Sequence, residues 1–234
     1  MLLNWLSRRL TTYLSKQVTQ HSVRTSAWEA LEKTLQPGDV LLVEGNTRIS
    51  VAIKYLTQST WSHAALYLGP NAGLGAAGNG EPHVLIEADL EEGIRPLSLS
   101  AYRNTHTRIC RPVGLTDNDI DKLVDYSKSR LGHQYDLKNV WDLARYLCPT
   151  PPVPSRYRRS LLALGSGDPT RAICSTFIAE GFQALRYPIL PVSLSESEGD
   201  PACDAQKREY FRIRHHSLFA PRDFDASPYF DVVK

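Results

Sequence analysis

Cys174 is the residue of this sequence best placed to do chemistry. It falls in the first turn of a helix predicted over residues 171–185, because Asp168-Pro169-Thr170 breaks the preceding chain and apolar residues recur behind it at helical spacing. The positive end of the helix dipole and the unpaired amide N–H groups favour a thiolate there, and a thiolate is a nucleophile. The same spacing also fits a small apolar residue on the buried face of the helix, so the helix alone leaves both interpretations open.

The composition is that of an ordinary globular chain, with 42% hydrophobic and 22% charged residues. A net charge of +2 gives no bias toward nucleic acid, and no aromatic platform accompanies the scattered basic residues, so we predict no nucleic-acid partner. The cysteines lack C-x-x-C or metal-ligand spacing, which predicts reduced thiols, no metal and no cofactor. They are Cys110, Cys148, Cys174 and Cys203.

Residues 1–35 predict an N-terminal amphipathic helical extension. Between residues 2 and 18 the apolar positions form one stripe that Arg8, Arg9 and Lys16 interrupt, so neither a secretory signal nor a membrane span is predicted. A stripe with basic residues beside it fits a helix on a membrane surface or a helix docked on its own domain, and both stay open. The expected location is therefore cytoplasmic, with peripheral contact to the inner face of the membrane if the stripe meets lipid.

Residues 36–234 predict one α+β domain. Pro37-Gly38-Asp39 is a turn that introduces a strand at 40–43, and later patterns predict strands at 60–69, 83–88, 107–111 and 210–214. Helical spacing predicts helices at 49–56, 117–131 and 137–147. Residues 73–78 match G-x-G-x-x-G but lead toward a strand, so we predict a hairpin connection there and reject a dinucleotide site.

Four segments of the sequence, taken in their order along the chain, resemble those of a known protein family. They are Trp61-Ser-His-Ala-Ala-Leu-Tyr-Leu-Gly69, Val84-Leu-Ile-Glu-Ala88 with Gly93-Ile94, Leu131-Gly-His-Gln-Tyr-Asp136, and Ile173-Cys-Ser-Thr-Phe177. The set resembles the circularly permuted papain-like, NlpC-type cysteine hydrolases, in particular the YaeF/YiiX branch. The resemblance covers about residue 35 to the C-terminus and implies a permuted papain-like fold, in which an antiparallel sheet packs against the helix that bears the nucleophilic cysteine.

By motif matching, the resemblance implies Cys174 as the nucleophile, His63 as the histidine, Glu87 as the third polar residue and Tyr135 as a tyrosine near the site. These residue types suit one another, since an imidazole can take the proton of a thiol and a carboxylate can fix the imidazole tautomer. Glu87 also fits a solvent-facing strand residue, and Tyr135 fits a packing ring. The rivals for the third position are His83, Asp89 and Asp136.

The resemblance implies an amidase or peptidase that acts on a small peptide or amide through an acyl-thioester intermediate. Two alternatives stay open. One is acyl transfer or ester hydrolysis on lipids, as in the related lecithin–retinol acyltransferase branch, which the amphipathic stripe of residues 2–18 would suit. The other is a non-catalytic binding module in which Cys174 and His63 are structural.

Overall fold

The computed structural model of the protein describes residues 13, 16–18, 28–89, 92–133, 173–193, 211–213 and 219–233. The helices are α1 (Trp28–Thr34), α2 (Arg48–Thr57), α3 (Asp117–Ser129), α4 (Ile173–Ala184) and α5 (Pro221–Asp225), with 3₁₀ turns at Pro70–Ala72 and Leu99–Tyr102. The strands are β1 (Val40–Glu44), β2 (His63–Tyr67), β3 (Leu85–Asp89), β4 (Gly93–Leu97), β5 (His106–Pro112), β6 (Pro191–Ser193), β7 (Phe211–Ile213) and β8 (Phe230–Val233). The predicted helix at 137–147 lies outside the described residues.

Six strands form one antiparallel sheet in the order β4-β3-β2-β1-β5-β8, and β6 pairs separately with β7. Together with the helices, this sheet confirms the predicted α+β class. The sequence patterns did not predict β4 and β8, which are the two edge strands. Pro96 interrupts the pattern of β4, and an edge strand tolerates a proline because one side of its backbone has no strand partner.

The sheet lies between two apolar layers. Along β1, Val40 and Leu42 belong to the layer that contains Phe177 of α4, while Leu41 and Val43 belong to the layer that contains α1. A strand covered on both faces needs apolar residues at every position, which is why β1 appears in the sequence as a continuous apolar run.

Helix α4 packs across β2 and β3 and buries Phe177, Ile178 and Phe182 almost completely. Cys174 is the second residue of this helix and is 4% exposed. At the start of a helix the backbone N–H groups have no partners within the helix, so the thiol lies beside a cluster of amide donors.

Gly181 allows α4 to approach α3 closely, since a Cβ there would lie 2.9 Å from Leu123 Cδ1 and 3.3 Å from Tyr126 Cδ1. We expect Gly181→Ala to lower the free energy of unfolding by about 1–2 kcal/mol, because overpacking outweighs the roughly 1 kcal/mol by which alanine favours a helix. Urea denaturation followed by circular dichroism measures the change. Gly78→Ala is the matched control, because the added Cβ meets nothing within 4 Å. A gain in stability for Gly181→Ala would contradict the expectation.

Residues 13 and 16–18 of the N-terminal stripe contact the start of α2 and the residues just before it. The Arg48 guanidinium lies 3.9 Å from the centre of the Tyr13 ring, and the Arg48 backbone N–H donates to the Lys16 carbonyl at 3.1 Å. The Val18 N–H donates to the Asn46 carbonyl at 2.7 Å. Residues 16–18 thus dock on their own domain, while membrane contact by the stripe of residues 2–18 stays a prediction. In the described ranges, no helix has the length and apolar character needed to cross a bilayer.

Helix α1 is fastened to the sheet by an ion pair between a half-buried arginine and a buried aspartate. Arg111 of β5 donates to both carboxylate oxygens of Asp39, at 2.8 and 2.7 Å, and to the Thr34 carbonyl at 2.6 Å. Leu31 and Leu35 are buried in the layer beneath. Helix α1 therefore packs on the sheet that follows it in the chain, and the division at residue 35 into an extension and a catalytic domain stays a prediction.

Candidate active site

His63 is the first residue of β2, and the chain leading to it is held tightly. The Ser62 backbone N–H donates to the Val43 carbonyl at 3.1 Å, and its hydroxyl accepts from the Gly45 N–H at 2.8 Å. Gly45 has no room for a Cβ, because the hydroxyls of Ser50 and Ser62 occupy that space. These contacts fix the direction in which the His63 side chain leaves the end of the strand.

Glu87 lies on β3, the strand that pairs with β2, so His63 and Glu87 occupy adjacent strands. Its side chain is 4% exposed, and its Oε2 lies 2.6 Å from His63 Nε2. Because Nε2 is engaged by the carboxylate, Nδ1 is the ring nitrogen left for a partner on the other side of the imidazole.

Two further side chains hold the same carboxylate. Arg95 lies directly opposite Glu87 in the β3–β4 pairing and donates to Oε1 from Nε at 3.0 Å and from Nη2 at 2.8 Å. The Tyr102 hydroxyl, in the 3₁₀ turn after β4, donates to Oε2. Glu87 therefore accepts four hydrogen bonds from three side chains.

Cys174 lies close enough to His63 for a thiolate to interact with the imidazolium both by charge and through a hydrogen bond. The next residue, Ser175, is buried and its hydroxyl donates to the Phe219 carbonyl at 2.7 Å. Cys174 and Cys110 are free thiols, in line with the predicted reduced state, while Cys148 and Cys203 lie outside the described residues.

The electrostatics of the site favour the charged forms of His63 and Glu87 and the neutral form of Tyr102. Burial alone would lower the pKa of His63, but the Cys174 thiolate and the Glu87 carboxylate raise this pKa well above its usual value. Burial would raise the pKa of Glu87, yet His63, Tyr102 and Arg95 lower it to about 2. Burial and Glu87 raise the pKa of Tyr102 well above its usual value. At neutral pH the site therefore holds a carboxylate, a neutral tyrosine donor and a histidine that favours its protonated form.

Residues 219–233, called here the C-terminal segment, brace both halves of the site. Phe219 receives the bond from Ser175, beside Cys174. Asp225 Oδ2 accepts from Trp61 Nε1 at 3.1 Å, close before His63 in the chain. Arg108 Nη1 in turn contacts both oxygens of Asp225, at 2.7 and 2.9 Å.

The structure brings three of the predicted site residues together: Cys174, His63 and Glu87. The fourth, Tyr135, lies outside the described residues, as does the rival Asp136. The rival Asp89 lies at the end of β3, with Oδ2 3.4 Å from Arg95 Nη2. The rival His83 precedes β3, where its backbone N–H donates to the Gly75 carbonyl.

Sequence reasoning missed Arg95 and Tyr102. Arg95 follows from the register of two neighbouring strands, since the pairing of Asp89 with Gly93 puts Arg95 opposite Glu87. No comparable signal identifies Tyr102, which reaches the carboxylate from a short 3₁₀ turn. For metal binding, the described ranges contain no cluster of three or more His, Cys, Asp or Glu side chains that could hold an ion.

A helix that carries a cysteine and packs on an antiparallel sheet is the architecture that the resemblance to papain-like hydrolases implied. Residues 34–158 match the permuted papain-like amidase enzymes, YaeF/YiiX, C92 family. Because this match spans more than half of the chain, the protein belongs to that family, and the resemblance found in the sequence is confirmed. The chain is thus a member of an enzyme family of papain-like amidases.

The matched segment contains His63 and Glu87, together with Arg95 and Tyr102, and ends before Cys174. No curated protein matches the chain. Among solved structures, a similar one is the crystal structure of metalloprotein YiiX from Escherichia coli O157:H7. It shares 19% sequence identity with a TM-score of 0.49, and the alignment covers 85% of this chain and 96% of that chain.

Proposed function

We propose that this protein is a cysteine amidase of the peptidase type, with Cys174 as nucleophile, His63 as general base and acid, and Glu87 as the carboxylate that orients His63. The observation that carries the proposal is that the Cys174 and Glu87 side chains meet at the imidazole of His63. Its Nε2 lies 2.6 Å from Glu87, and Cys174 lies within charge and hydrogen-bond reach. Family membership supports an amide bond in a peptide or small amide as the target.

In the first half of the proposed reaction, the Cys174 thiolate attacks the amide carbonyl carbon. The carbonyl oxygen becomes an oxyanion, which backbone N–H groups at the start of α4 can stabilise because they have no partners within the helix. His63, as imidazolium, then donates a proton to the leaving nitrogen. The C–N bond breaks, the amine departs, and the acyl group remains on Cys174 as a thioester.

In the second half, neutral His63 takes a proton from water as the water oxygen attacks the thioester carbonyl. The C–S bond breaks, the carboxylic acid departs, and the thiolate and imidazolium are restored. Glu87 remains ionised throughout and stabilises each imidazolium state, because its pKa of about 2 lies far below neutral pH. Each turnover consumes one water and returns the site to its starting charges.

The test is the pH dependence of Cys174 alkylation by iodoacetamide, followed by peptide mass spectrometry. At about pH 5.5 an ordinary thiol is almost wholly protonated and reacts slowly, whereas a thiolate paired with imidazolium reacts fast. We expect His63→Ala to slow labelling of Cys174 at this pH by about 10- to 100-fold.

Cys110 provides an internal reference in the same digest. It is fully buried, and burial raises the pKa of its thiol to about 12, so it should label slowly in both proteins. If Cys174 showed an ordinary thiol profile that His63→Ala left unchanged, the proposed nucleophile and base would be wrong.

A further inference from the structure

The carboxylate of Glu87 has hydrogen-bond donors on both of its oxygens. Oε2 is shared by His63 and Tyr102, and Oε1 takes both bonds from Arg95. A carboxylate has about four acceptor positions, so all of them are filled. The donors come from β2, from β4 and from the 3₁₀ turn that follows β4, so rotation of the carboxylate would break bonds to separate elements of the fold.

A single donor would not be enough to keep the buried Glu87 carboxylate ionised. Removed from water, a carboxyl group favours its neutral form, and a neutral Glu87 could not stabilise an imidazolium. Arg95 supplies a permanent positive charge, but it is shared, since its guanidinium also contacts Glu92 at 2.7 Å and Asp89 at 3.4 Å. A neutral donor on the other oxygen therefore adds to what the shared cation gives.

Tyr102 is suited to that second task. Its hydroxyl is held in the protonated form by burial and by the neighbouring negative charges of Glu87 and Cys174, which raise its pKa. The Tyr102 hydroxyl therefore donates a hydrogen bond to Glu87 and does not compete with His63 as a base. Its ring centre also lies 6.2 Å from that of His63, so it borders the imidazole as well as the carboxylate.

We propose that Arg95 and Tyr102 are positioning residues, which together keep Glu87 ionised and hold its Oε2 against His63. The inference rests on the proposed function, because it assigns these two residues to the reaction of Cys174 and His63. Arg95 acts mainly through charge and Tyr102 mainly through orientation. Neither needs to touch the substrate.

The experiment compares the pH profile of Cys174 alkylation in the wild type, Tyr102→Phe, Arg95→Gln and Arg95→Lys. Loss of a donor weakens the hold of Glu87 on His63, so the imidazolium is stabilised less and more of the thiolate–imidazolium pair reverts to neutral thiol and imidazole. The reactive thiolate then forms at higher pH, so the acid limb should move to higher pH by about one unit in Tyr102→Phe and in Arg95→Gln. Arg95→Lys should remain closer to the wild type, because it keeps the charge.

Two matched controls separate positioning from general loss of structure. Tyr126→Phe removes another tyrosine hydroxyl that donates to a carboxylate, that of Glu180 at 3.0 Å, and Arg103→Gln removes an exposed guanidinium next to Tyr102 in the chain. Both should leave the profile unchanged. A ¹³C NMR titration of the Glu87 carboxyl measures its pKa directly. This pKa should rise in Tyr102→Phe and in Arg95→Gln from its wild-type value of about 2.

The outcomes distinguish this inference from the proposed function. If the wild-type profile depends on His63 but Tyr102→Phe and Arg95→Gln leave both the profile and the Glu87 titration unchanged, the inference is overturned and the proposed function stands. If wild-type Cys174 already behaves as an ordinary thiol, the proposed function fails first. If the acid limb moved equally in Arg95→Lys and Arg95→Gln, the inference that Arg95 acts mainly through its charge would be overturned.

Discussion

Cys174→Ala is expected to lower kcat/KM for amide hydrolysis by roughly 10⁴- to 10⁶-fold, because it removes the proposed nucleophile and with it the proposed thioester route. The loss should fall on kcat, with KM little changed, since alanine leaves the surrounding contacts in place. Steady-state kinetics on a peptide or small amide substrate that the wild type hydrolyses measures the effect. Cys174 is 4% exposed on α4, and its replacement by alanine removes only one sulfur atom from this environment.

Cys110→Ala is the matched control for this change. Cys110 lies on β5, away from His63, and burial raises the pKa of its thiol to about 12, so it is a poor nucleophile. We expect its replacement to leave kcat/KM within about threefold of the wild type, while the protein loses only a small part of its stability. Full turnover by Cys174→Ala would contradict the assignment of the nucleophile, whatever the control showed.

Glu87→Gln is expected to have the second largest effect, a fall of about 10²- to 10⁴-fold in kcat. Glutamine keeps the shape of the side chain but has no charge and only one acceptor oxygen. One of the two oxygens that now bind His63, Tyr102 and Arg95 would become an NH₂ group that faces donors. The imidazole would lose both its orientation and its negative partner.

The same substitution predicts a change in the pH profile with a definite sign. The Glu87 carboxylate helps to raise the pKa of His63, so its loss lowers this pKa and the imidazolium deprotonates at lower pH. The alkaline limb of kcat/KM should therefore move to lower pH. Glu81→Gln is the control, since Glu81 binds the Ser100 backbone N–H at 3.2 Å and should leave the limb in place. A limb that moved upward, or moved equally in both variants, would contradict the role of Glu87.

The parts of the fold that sequence patterns predicted are those decided by local burial. The apolar run at residues 40–43 predicted a strand because both faces of β1 are covered, and the spacing from Phe177 to Phe182 predicted the buried face of α4. The edge strands β4 and β8 escaped prediction for the converse reason. A partly exposed strand carries mixed residues, including Pro96, and its assignment depends on which neighbour it pairs with.

The residues of the candidate site likewise fall into two groups, those that the sequence identified and those that it did not. Cys174, His63 and Glu87 were found because their types and order along the chain resemble a known family. Arg95 was missed because its role depends on the register between β3 and β4, and Tyr102 because a 3₁₀ turn carries little pattern of its own. Donors that arrive across a sheet or from a turn belong to tertiary structure, which the period of a single segment does not encode.

The bracing of the site by the C-terminal segment has a consequence for the newly made chain. The ribosome adds His63 and Glu87 first, then Cys174, and only afterwards Phe219 and Asp225. These last two residues hold Ser175, beside Cys174, and Trp61, close before His63. β8, made later still, closes one edge of the sheet by pairing with β5. Until this segment emerges, the neighbours of Cys174 and His63 lack the contacts that fix them, so a nascent or truncated chain carries both residues without the arrangement of the proposed site.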